Sequence, residues 1–261
     1  MSTEEFFSSA WSARPLPLLG AALAIGLYYW RFRSEARWSY FLSAVAVVLL
    51  TLLSPLDALS RGLLFSAHMA QHLLLLLVAP GLFLASLPRS FALGPRIRRF
   101  IPPFGSWILG VAPMWLWHVP VLCDSAAVNP SIHAVQTISL LAMGAAFWWP
   151  ILAPRAHDRL MPLVGVGYLF VACLACTALG ILVTLTPVEV CPVFRSPLDP
   201  LGIVETIRSS WGVTPTRDRE IGGLLMWIPM CLVYLSAILL ELGRWLGGEE
   251  RMAPVPQKGS V

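Results

Sequence analysis

The chain has 261 residues, of which 57% are hydrophobic and only 12% are charged. A soluble domain usually carries about 25% charged residues, so this composition excludes an ordinary water-soluble globule and favours a chain with lipid as its solvent. The net charge is +4, and no basic cluster of the kind that binds nucleic acid is found, so we expect the arginines to mark a cytoplasmic membrane face.

Seven apolar runs follow one another along the chain, and each is about long enough to cross a bilayer core. Inside lipid every backbone polar group needs a partner within the chain, so each run is predicted to be a helix. The first run is predicted to be a retained span, because Glu4 and Glu5 stand where a cleaved signal would be basic. The runs are 15–32, 38–55, 63–87, 105–122, 131–152, 162–186 and 222–247.

The predicted fold is therefore an all-α bundle of seven transmembrane helices. It forms a single domain, 1–247, followed by a disordered cytoplasmic tail, 248–261. The connections after the first, third, fifth and seventh runs hold twelve of the 18 lysines and arginines, and the opposite side holds six. Because basic residues accumulate in cytoplasmic loops, the N-terminus is predicted outside and the C-terminus in the cytoplasm.

Four of the five histidines fall at one predicted depth near the outer membrane face. His68 and His72 share one face of the third helix, His118 lies near the outer end of the fourth, and His133 lies in the first turn of the fifth. His157 is the exception, in a cytoplasmic turn. Ionisable groups in spans are costly and usually face the bundle interior, so the four histidines are predicted to form one polar site.

Neutral imidazole is the commonest metal ligand among side chains, and two histidines four residues apart on a helix supply half of a tetrahedral site. Sulfur ligands at a similar depth would favour copper in its reduced form. We therefore predict a copper site. The proline-rich 187–221 loop is expected either to cover this site or to dock the partner protein. The predicted ligands of the site are His68, His72, His118 and His133. Additional candidates are Met69, Cys123, Met226 and Asp218, the last as the residue that orients a histidine.

Other interpretations of the same residues stay open. Any one histidine could simply hydrogen-bond a neighbouring helix, and two on facing helices could hold haem, although axial ligands seldom form an i, i+4 pair. Asp218 also suits the positive end of the last helix. Cys173 and Cys176 are expected to pack in the core, and no disulfide framework is expected. A transporter would need polar residues at the midplane, which is almost wholly apolar.

Four ordered segments of the chain resemble the CtaG family of cytochrome c oxidase assembly factors. The resemblance covers about residues 15–247, and each segment lies on the matching helix. The segments are HMAQH at 68–72, WHVP at 117–120, NPSIH at 129–133 with FWWP at 147–150, and GGLLMW at 222–227 with Asp218 before it.

The resemblance implies a multi-pass protein of a bacterial inner membrane that aids metallation of a haem-copper terminal oxidase and is not an enzyme. Its partners would be a subunit of that oxidase, the lipid bilayer and a periplasmic copper donor. The alternative function is a membrane electron carrier or oxidoreductase that contains haem or copper. Family members often carry a second histidine four residues after the position of His133, where this chain has Thr137, so a site that uses that imidazole would be incomplete here.

Overall fold

A computed structural model describes residues 1–94, 102–185 and 189–252 of the chain, and within these ranges the protein is helical and contains no strand. Every predicted apolar run is matched by helix. The helices are α1 (Thr3–Ser9), α2 (Pro15–Phe32), α3 (Trp38–Leu53), α4 (Pro55–Ser60), α5 (Phe65–Leu73), a π-helical stretch (Leu74–Val78), α6 (Ala79–Ser86), α7 (Pro103–Trp117), α8 (Pro120–Val128), α9 (Pro130–Leu152), α10 (Pro162–Leu185), α11 (Val204–Ser209) and α12 (Pro215–Met252).

The largest difference from the predicted boundaries concerns the last helix, which begins at Pro215 and not at residue 222. The short helices α1, α4 and α11 had not been predicted, because segments of six or seven residues carry too little periodicity to be recognised. α12 runs through Met252, and the rest of the predicted tail, 253–261, lies outside the described residues. Three arginines of the 88–104 loop also lie outside them: Arg96, Arg98 and Arg99.

Four helical segments are long and apolar enough to cross a membrane, and a fifth is added if α7 and α8 count as one broken span. The four are Phe65–Ser86, Pro130–Leu152, Pro162–Leu185 and Pro215–Gly247. α3 is apolar but only 16 residues long, about 24 Å of helix against a bilayer core of about 30 Å. By length and composition, the described residues thus contain four to five candidate membrane-spanning helices.

Large apolar side chains cover the outside of the long helices. On α2, Leu16, Leu19 and Leu23 are 68%, 67% and 64% exposed, and on α12 Leu239 and Leu240 are 60% and 71% exposed. Soluble monomers rarely expose continuous apolar surface on this scale. These faces therefore suit lipid tails, while the main apolar core lies where α5, α6, α7, α9, α10 and α12 meet.

Two irregularities interrupt the helices that carry the predicted site residues. The π-helical stretch Leu74–Val78 follows directly after the helix that carries His68 and His72. Gly144 on α9 packs against it so closely that a Cβ atom there would lie 2.3 Å from the backbone oxygen of Leu76. The second irregularity is a 79° bend between α7 and α8, at His118 and Val119, just before Pro120.

A second, smaller apolar cluster caps the end of the bundle that carries the histidines. Phe6 from α1 is fully buried there, and Ile203 and Ile207 from the long loop pack with it. The N-terminal amine donates to the backbone oxygen of Gly202, and the Trp211 indole donates to the Thr3 hydroxyl. The N-terminal segment and the described part of the 187–221 loop, residues 189–221 (the long loop), therefore form one cover over this end.

Candidate metal site

The structure brings together all four histidines that were predicted to share one membrane depth. His68 and His72 lie on α5 with ring centroids 4.3 Å apart, and the His72 ring lies 5.7 Å from the ring of His118 at the end of α7. His133, in the first turns of α9, is joined to α5 through Asp57, whose Oδ1 lies 3.5 Å from Nε2 of His133 and accepts from the amide of Gln71 at 3.2 Å. All four side chains are buried, with at most 5% exposed. We call this group of four histidines the outer site.

Local sequence explains how each histidine reaches the outer site. The i, i+4 spacing directs His68 and His72 to one face of α5. Pro120 has no N–H to continue the helix, so α7 ends at Trp117 and His118 becomes its C-cap. Asn129 caps α9 by accepting from the N–H groups of Ser131 and Ile132, at 2.9 and 3.3 Å, which fixes the turn that carries His133.

Four of the imidazole nitrogens in the outer site lack hydrogen-bond partners. Both ring nitrogens of His68, Nδ1 of His133 and Nε2 of His72 are buried without a partner, whereas Nε2 of His133 faces the Asp57 carboxylate at 3.5 Å. The side-chain nitrogen of Gln136, one helical turn after His133, is buried and unpaired as well. Leaving a buried polar group unpaired costs about 1–3 kcal/mol, so this cluster is expensive unless something further binds to it.

His118 is held differently from the other three histidines. Its Nδ1 contacts the backbone oxygen of Met114, one turn earlier on α7. Its Nε2 lies 3.2 Å from Sδ of Met69, the residue that follows His68 on α5. A predicted sulfur ligand and a predicted imidazole ligand are thus in direct contact.

Asp57 is a central residue of the site that the sequence analysis missed. It is fully buried in α4, and its Oδ1 lies 3.5 Å from Nε2 of His133. Its Oδ2 contacts the guanidinium groups of Arg14 and Arg61. The amide of Gln71, between the two α5 histidines, donates to Oδ1 at 3.2 Å. Asp57 therefore ties α4, α5 and α9 to one carboxylate.

The charge state of Asp57 follows from these neighbours. Burial by itself raises the pKa of this carboxyl, but His133, Arg61 and Arg14 outweigh burial and hold the pKa below the ordinary aspartate value. The group is therefore an ionised carboxylate at neutral pH. The signal in the sequence was an acid between two apolar runs with an arginine four residues later, at Arg61.

The long loop lies over the outer site. This position agrees with the first of its two predicted roles, which were to cover the site or to dock a partner. Phe194, in a 3₁₀ turn of the loop, has its ring 5.5 Å from that of His68 and 5.7 Å from that of Phe65. Beside these two phenylalanines is a cavity of about 160 Å³. Its charged lining residues are Glu189, Arg195, Asp218 and Arg219.

The prediction that Asp218 orients a histidine is wrong. Its two carboxylate oxygens accept hydrogen bonds from the backbone N–H groups of Phe65 and Ser66, at 2.6 and 2.9 Å. These N–H groups are in the first turn of α5 and have no partner within that helix. Asp218 therefore caps α5 from the neighbouring α12, and Gly222 allows the approach, since a Cβ there would lie 2.3 Å from the Phe65 ring.

Cys123 is also not available as the thiolate ligand that was predicted. It forms a disulfide with Cys191, 68 residues further along, with Cα atoms 5.6 Å apart. The expectation that the chain has no disulfide framework is wrong to this extent. The bond joins α8 to the long loop. Beside it, Asp124 on α8 accepts a hydrogen bond from the N–H of Val193 in the loop, at 3.0 Å.

The remaining candidates lie in other surroundings. Met226 is buried in the main core, and no hydrogen bond or ring contact joins it to an imidazole in the described parts of the chain. His157 lies 3.4 Å from Asp158 in an exposed turn, away from the outer site. Thr137 is buried on α9, one turn after His133.

The four imidazoles are neighbours, but their nitrogens do not converge on one point. Among residues 1–94, 102–185 and 189–252, no three or more His, Cys, Asp or Glu side chains are spaced to hold a metal ion as they stand. Rotation of the rings would be needed to bring three donors to one ion.

Comparison with known families relates this geometry to a function. A family model described as cytochrome c oxidase caa3 assembly factor (Caa3_CtaG) matches residues 22–247. The chain belongs to this family. The Caa3_CtaG match includes all four histidines of the outer site and confirms the resemblance seen in the sequence.

One curated relative shows how far the similarity extends. The uncharacterized protein ML1998 of Mycobacterium leprae (strain TN) is 25% identical to this Caa3_CtaG member over an alignment of 215 residues, which covers 73% of this chain. The chain spans 31% of the length of that relative. No solved structure matches the chain.

Proposed function

We propose that the chain is a seven-span, non-catalytic assembly factor of a bacterial inner membrane, which holds copper at the outer face and passes it to a haem-copper terminal oxidase. The observation that carries the proposal is the outer site, with four buried imidazoles and four ring nitrogens that have no hydrogen-bond partner. A metal ion bound there would supply the partner that these nitrogens lack.

The surroundings of two histidines indicate which nitrogen each would offer. Nδ1 of His118 faces a backbone oxygen and so carries the proton, which leaves the lone pair on Nε2, beside the sulfur of Met69. Nε2 of His133 faces the carboxylate of Asp57 and so carries the proton, which leaves Nδ1 as its donor atom. A carboxylate behind a ligating histidine typically fixes its tautomer and raises its basicity.

The donor set favours copper in its reduced form. Imidazole binds several transition metals, but a thioether is a soft ligand that selects Cu(I) over harder ions. Because the nitrogens do not yet converge, the outer site resembles an exchange site more than a closed structural one. Such a site suits a protein that must release its metal to a partner.

The cavity beside Phe65 and Phe194 would be the access route. It leads from the surface of the long loop to the aromatic residues that cover His68. Its charged lining consists of two acidic and two basic side chains, Glu189, Asp218, Arg195 and Arg219, so the route is polar and carries no net positive charge against a cation. A periplasmic copper donor, or the oxidase subunit, would then dock against the same loop.

Two independent observations support the proposed orientation, with the N-terminus outside. Arginine and lysine accumulate on the opposite side of the predicted bundle. The disulfide between Cys123 and Cys191 lies at the end that carries the outer site, and disulfides persist in oxidising compartments such as the periplasm.

Labelling of single added cysteines tests the orientation. Ser196, in the long loop, and Ala156, in the turn after α9, are both exposed and serve as a matched pair. In cells with a permeabilised outer membrane, a membrane-impermeant maleimide should label Ser196→Cys and leave Ala156→Cys unlabelled. The reverse pattern would overturn the orientation, and the unsubstituted chain gives the background from its native thiols.

Metal analysis of the purified protein tests the copper site. His68→Ala/His72→Ala should lose most of the copper that the wild-type protein retains after loading with Cu(I) and desalting. His157→Ala is the matched control, because it removes an exposed imidazole at the other end of the molecule. If all three proteins retain the same amount of copper per chain, the proposal of a copper site at these histidines is wrong.

A deletion strain tests the link to the oxidase separately. Without this chain, activity of the terminal oxidase should fall, and added copper should restore part of it if the chain supplies metal. A strain that expresses His68→Ala/His72→Ala should behave like the deletion. Full oxidase activity in the deletion strain would contradict the assembly role.

Haem as the ligand of an electron carrier is less well supported. The cavity beside the outer site is about 160 Å³, below the range of about 300–1,000 Å³ usual for pockets that hold organic ligands. An absorption spectrum of the purified protein distinguishes the two, because bound haem gives an intense Soret band.

A further inference from the structure

Two free, partly buried cysteines from different helices face each other about halfway along α10. Cys173 on α10 and Cys231 on α12 have Sγ atoms 3.0 Å apart, with no disulfide bond between them. The hydroxyl of Thr177, one turn after Cys173, lies 3.4 Å from Sγ of Cys231. These three residues are called the thiol seam below, and the outer site makes no use of them.

Cys173 and Cys176 pack against the main core as expected, but the two do not face each other. Cys176, three residues after Cys173, turns away and contacts Sδ of Met114 at 4.0 Å and the Tyr234 hydroxyl at 3.9 Å. Cys173 instead meets a thiol 58 positions along the chain. The convergent pair is therefore made by the packing of α10 against α12.

The depth of the pair restricts what it can bind. Cys173 is 12 residues from Leu185 and 11 from Pro162, the two ends of α10. At 1.5 Å per residue it is about 17–18 Å from either end, close to the middle of the membrane. A ligand that reaches this depth must be small, and its binding must leave little net charge.

We propose that Cys173 and Cys231 bind one soft monovalent metal ion, Cu(I) in the cell, between their two sulfur atoms. Sulfur from cysteine selects Cu(I) over harder cations. On binding, the S–H bond of one cysteine breaks and a Cu–S bond forms at that sulfur, while the other cysteine coordinates as a neutral thiol. One proton leaves to solvent, and no electron is transferred. The Thr177 hydroxyl is within reach to donate a hydrogen bond to the sulfur that has lost its proton.

Charge explains the preference for a monovalent ion. Exchange of one proton for one Cu(I) leaves the charge of the thiol seam unchanged, so binding adds no buried charge. A divalent ion in the same exchange would leave one uncompensated positive charge in lipid, which is strongly unfavourable. The thiol seam therefore discriminates by charge as well as by softness.

Met114 and Cys176 lie between the thiol seam and the outer site. Met114 meets His118 through its backbone and Cys176 through its sulfur, and Cys176 is one turn from Cys173. The thiol seam is nevertheless a site of its own. It goes beyond the proposed function, because its two sulfurs would bind metal whether or not the histidines do.

Titration of the full-length protein in detergent with Ag(I) tests the proposal. Ag(I) is a soft monovalent probe that does not change oxidation state, and Cu(I) under argon with a competing chelator serves as the second probe. Cys173→Ser/Cys231→Ser should lose one tight equivalent, with affinity weakened by more than about 100-fold. His68→Ala/His72→Ala should keep that equivalent, and Cys176→Ser is the matched thiol control that should also keep it.

The outcomes separate the thiol seam from the outer site. If Cys173→Ser/Cys231→Ser binds as many tight equivalents as the wild type, the thiol seam is not a metal site, whatever the histidine variants do. If only His68→Ala/His72→Ala loses metal, the outer site stands and the thiol seam fails.

A measurement on the wild-type chain covers the case in which the double variant does not fold. A membrane-permeant maleimide should modify Cys173 and Cys231 in the metal-free protein, and one equivalent of Ag(I) should protect both, as read by peptide mass spectrometry. Protection should not occur with Zn(II). Unchanged modification with Ag(I), or a Cys173–Cys231 disulfide in the protein as purified, would overturn the proposal.

Discussion

The outer site and the interface between α10 and α12 hold the bundle together by different means. Around the outer site the chain buries a carboxylate, four imidazoles and the guanidinium contacts of Arg14 and Arg61. Between α10 and α12 it buries small residues instead. Gly180 lies against Trp227, and Gly223 against Thr184, with no room for a Cβ in either case.

This difference separates what the fold needs from what the function needs. Lipid tails are as apolar as leucine, so helices in a membrane associate through close packing of small residues. This close packing holds α10 against α12 without any contribution from the thiol seam. Buried ionisable groups are costly in the same environment, so their concentration at one end marks that end as the functional one.

The largest expected effect comes from removing the charge that organises the outer site. Asp57→Asn should lower the free energy of unfolding by about 3 kcal/mol, because the loss of one member of a buried ion pair typically costs about 3–5 kcal/mol. The lower end applies because the partner side chains, Arg14 and Arg61, are 37% and 24% exposed. Thermal unfolding in detergent, followed by tryptophan fluorescence, measures the change.

Glu189→Gln is the control for that prediction. It removes the exposed ion pair with Arg195, at 2.9 Å, whose partner is 70% exposed. Pairs of this kind contribute less than about 1 kcal/mol. If Asp57→Asn lowers the free energy of unfolding no more than Glu189→Gln does, the Asp57 carboxylate does not organise this end of the bundle.

The next largest effect is expected where close packing meets the helix that carries the histidines. In Gly144→Ala the new Cβ would lie 2.3 Å from the Leu76 oxygen and 2.8 Å from Cγ of Pro80. Overpacking of this kind typically costs about 1–3 kcal/mol, and here it would also press on the π-helical stretch after His72. The same unfolding assay measures the loss.

Gly167→Ala on α10 provides the matched comparison, because nothing lies within 4 Å of a Cβ at that position. It should leave the protein at least as stable as the wild type, since alanine is the better helix former. Equal losses in the two variants would show that glycine matters through the backbone and not through the approach of α9 to the π-helical stretch.

The sequence predicted the helices and the four histidines because both depend on local patterns. An apolar run near 20 residues long must be helical in lipid, and an i, i+4 pair must share a face. The partners of these groups depend on contacts between distant segments. Asp57 meets His133 across 76 positions, Asp218 caps α5 across 153, and Cys123 bonds Cys191 across 68. No local pattern specifies these contacts.

The same limit explains the two errors about side-chain roles. Asp218 was correctly associated with a helix N-terminus, but the helix it caps is α5 and not its own. Cys123 was assigned to a metal because its predicted depth matched that of the histidines. Its disulfide partner lies in the long loop, which was expected to cover the site, but the composition of the loop does not specify which of its residues meets α8.

The smallest predicted effect concerns the completeness of the outer site. Thr137 is buried one turn after His133, on the face of α9 that carries His133. In Thr137→His a further imidazole would point towards the same region and could complete the donor set. Cu(I) affinity, measured by chelator competition, should rise by about tenfold, equivalent to about 1.4 kcal/mol.

Thr137→Val is the control, because it keeps the shape of the side chain and adds no donor atom, so its Cu(I) affinity should equal that of the wild type. The larger imidazole of Thr137→His must also fit, so the unfolding assay is run on the same samples to detect overpacking. Unchanged affinity in a Thr137→His protein of normal stability would show that the outer site is already complete with four histidines and Met69. Tighter binding would instead show that the wild-type chain binds Cu(I) more weakly than its fold allows. Weaker binding favours release, as expected for a protein that transfers its metal to a partner.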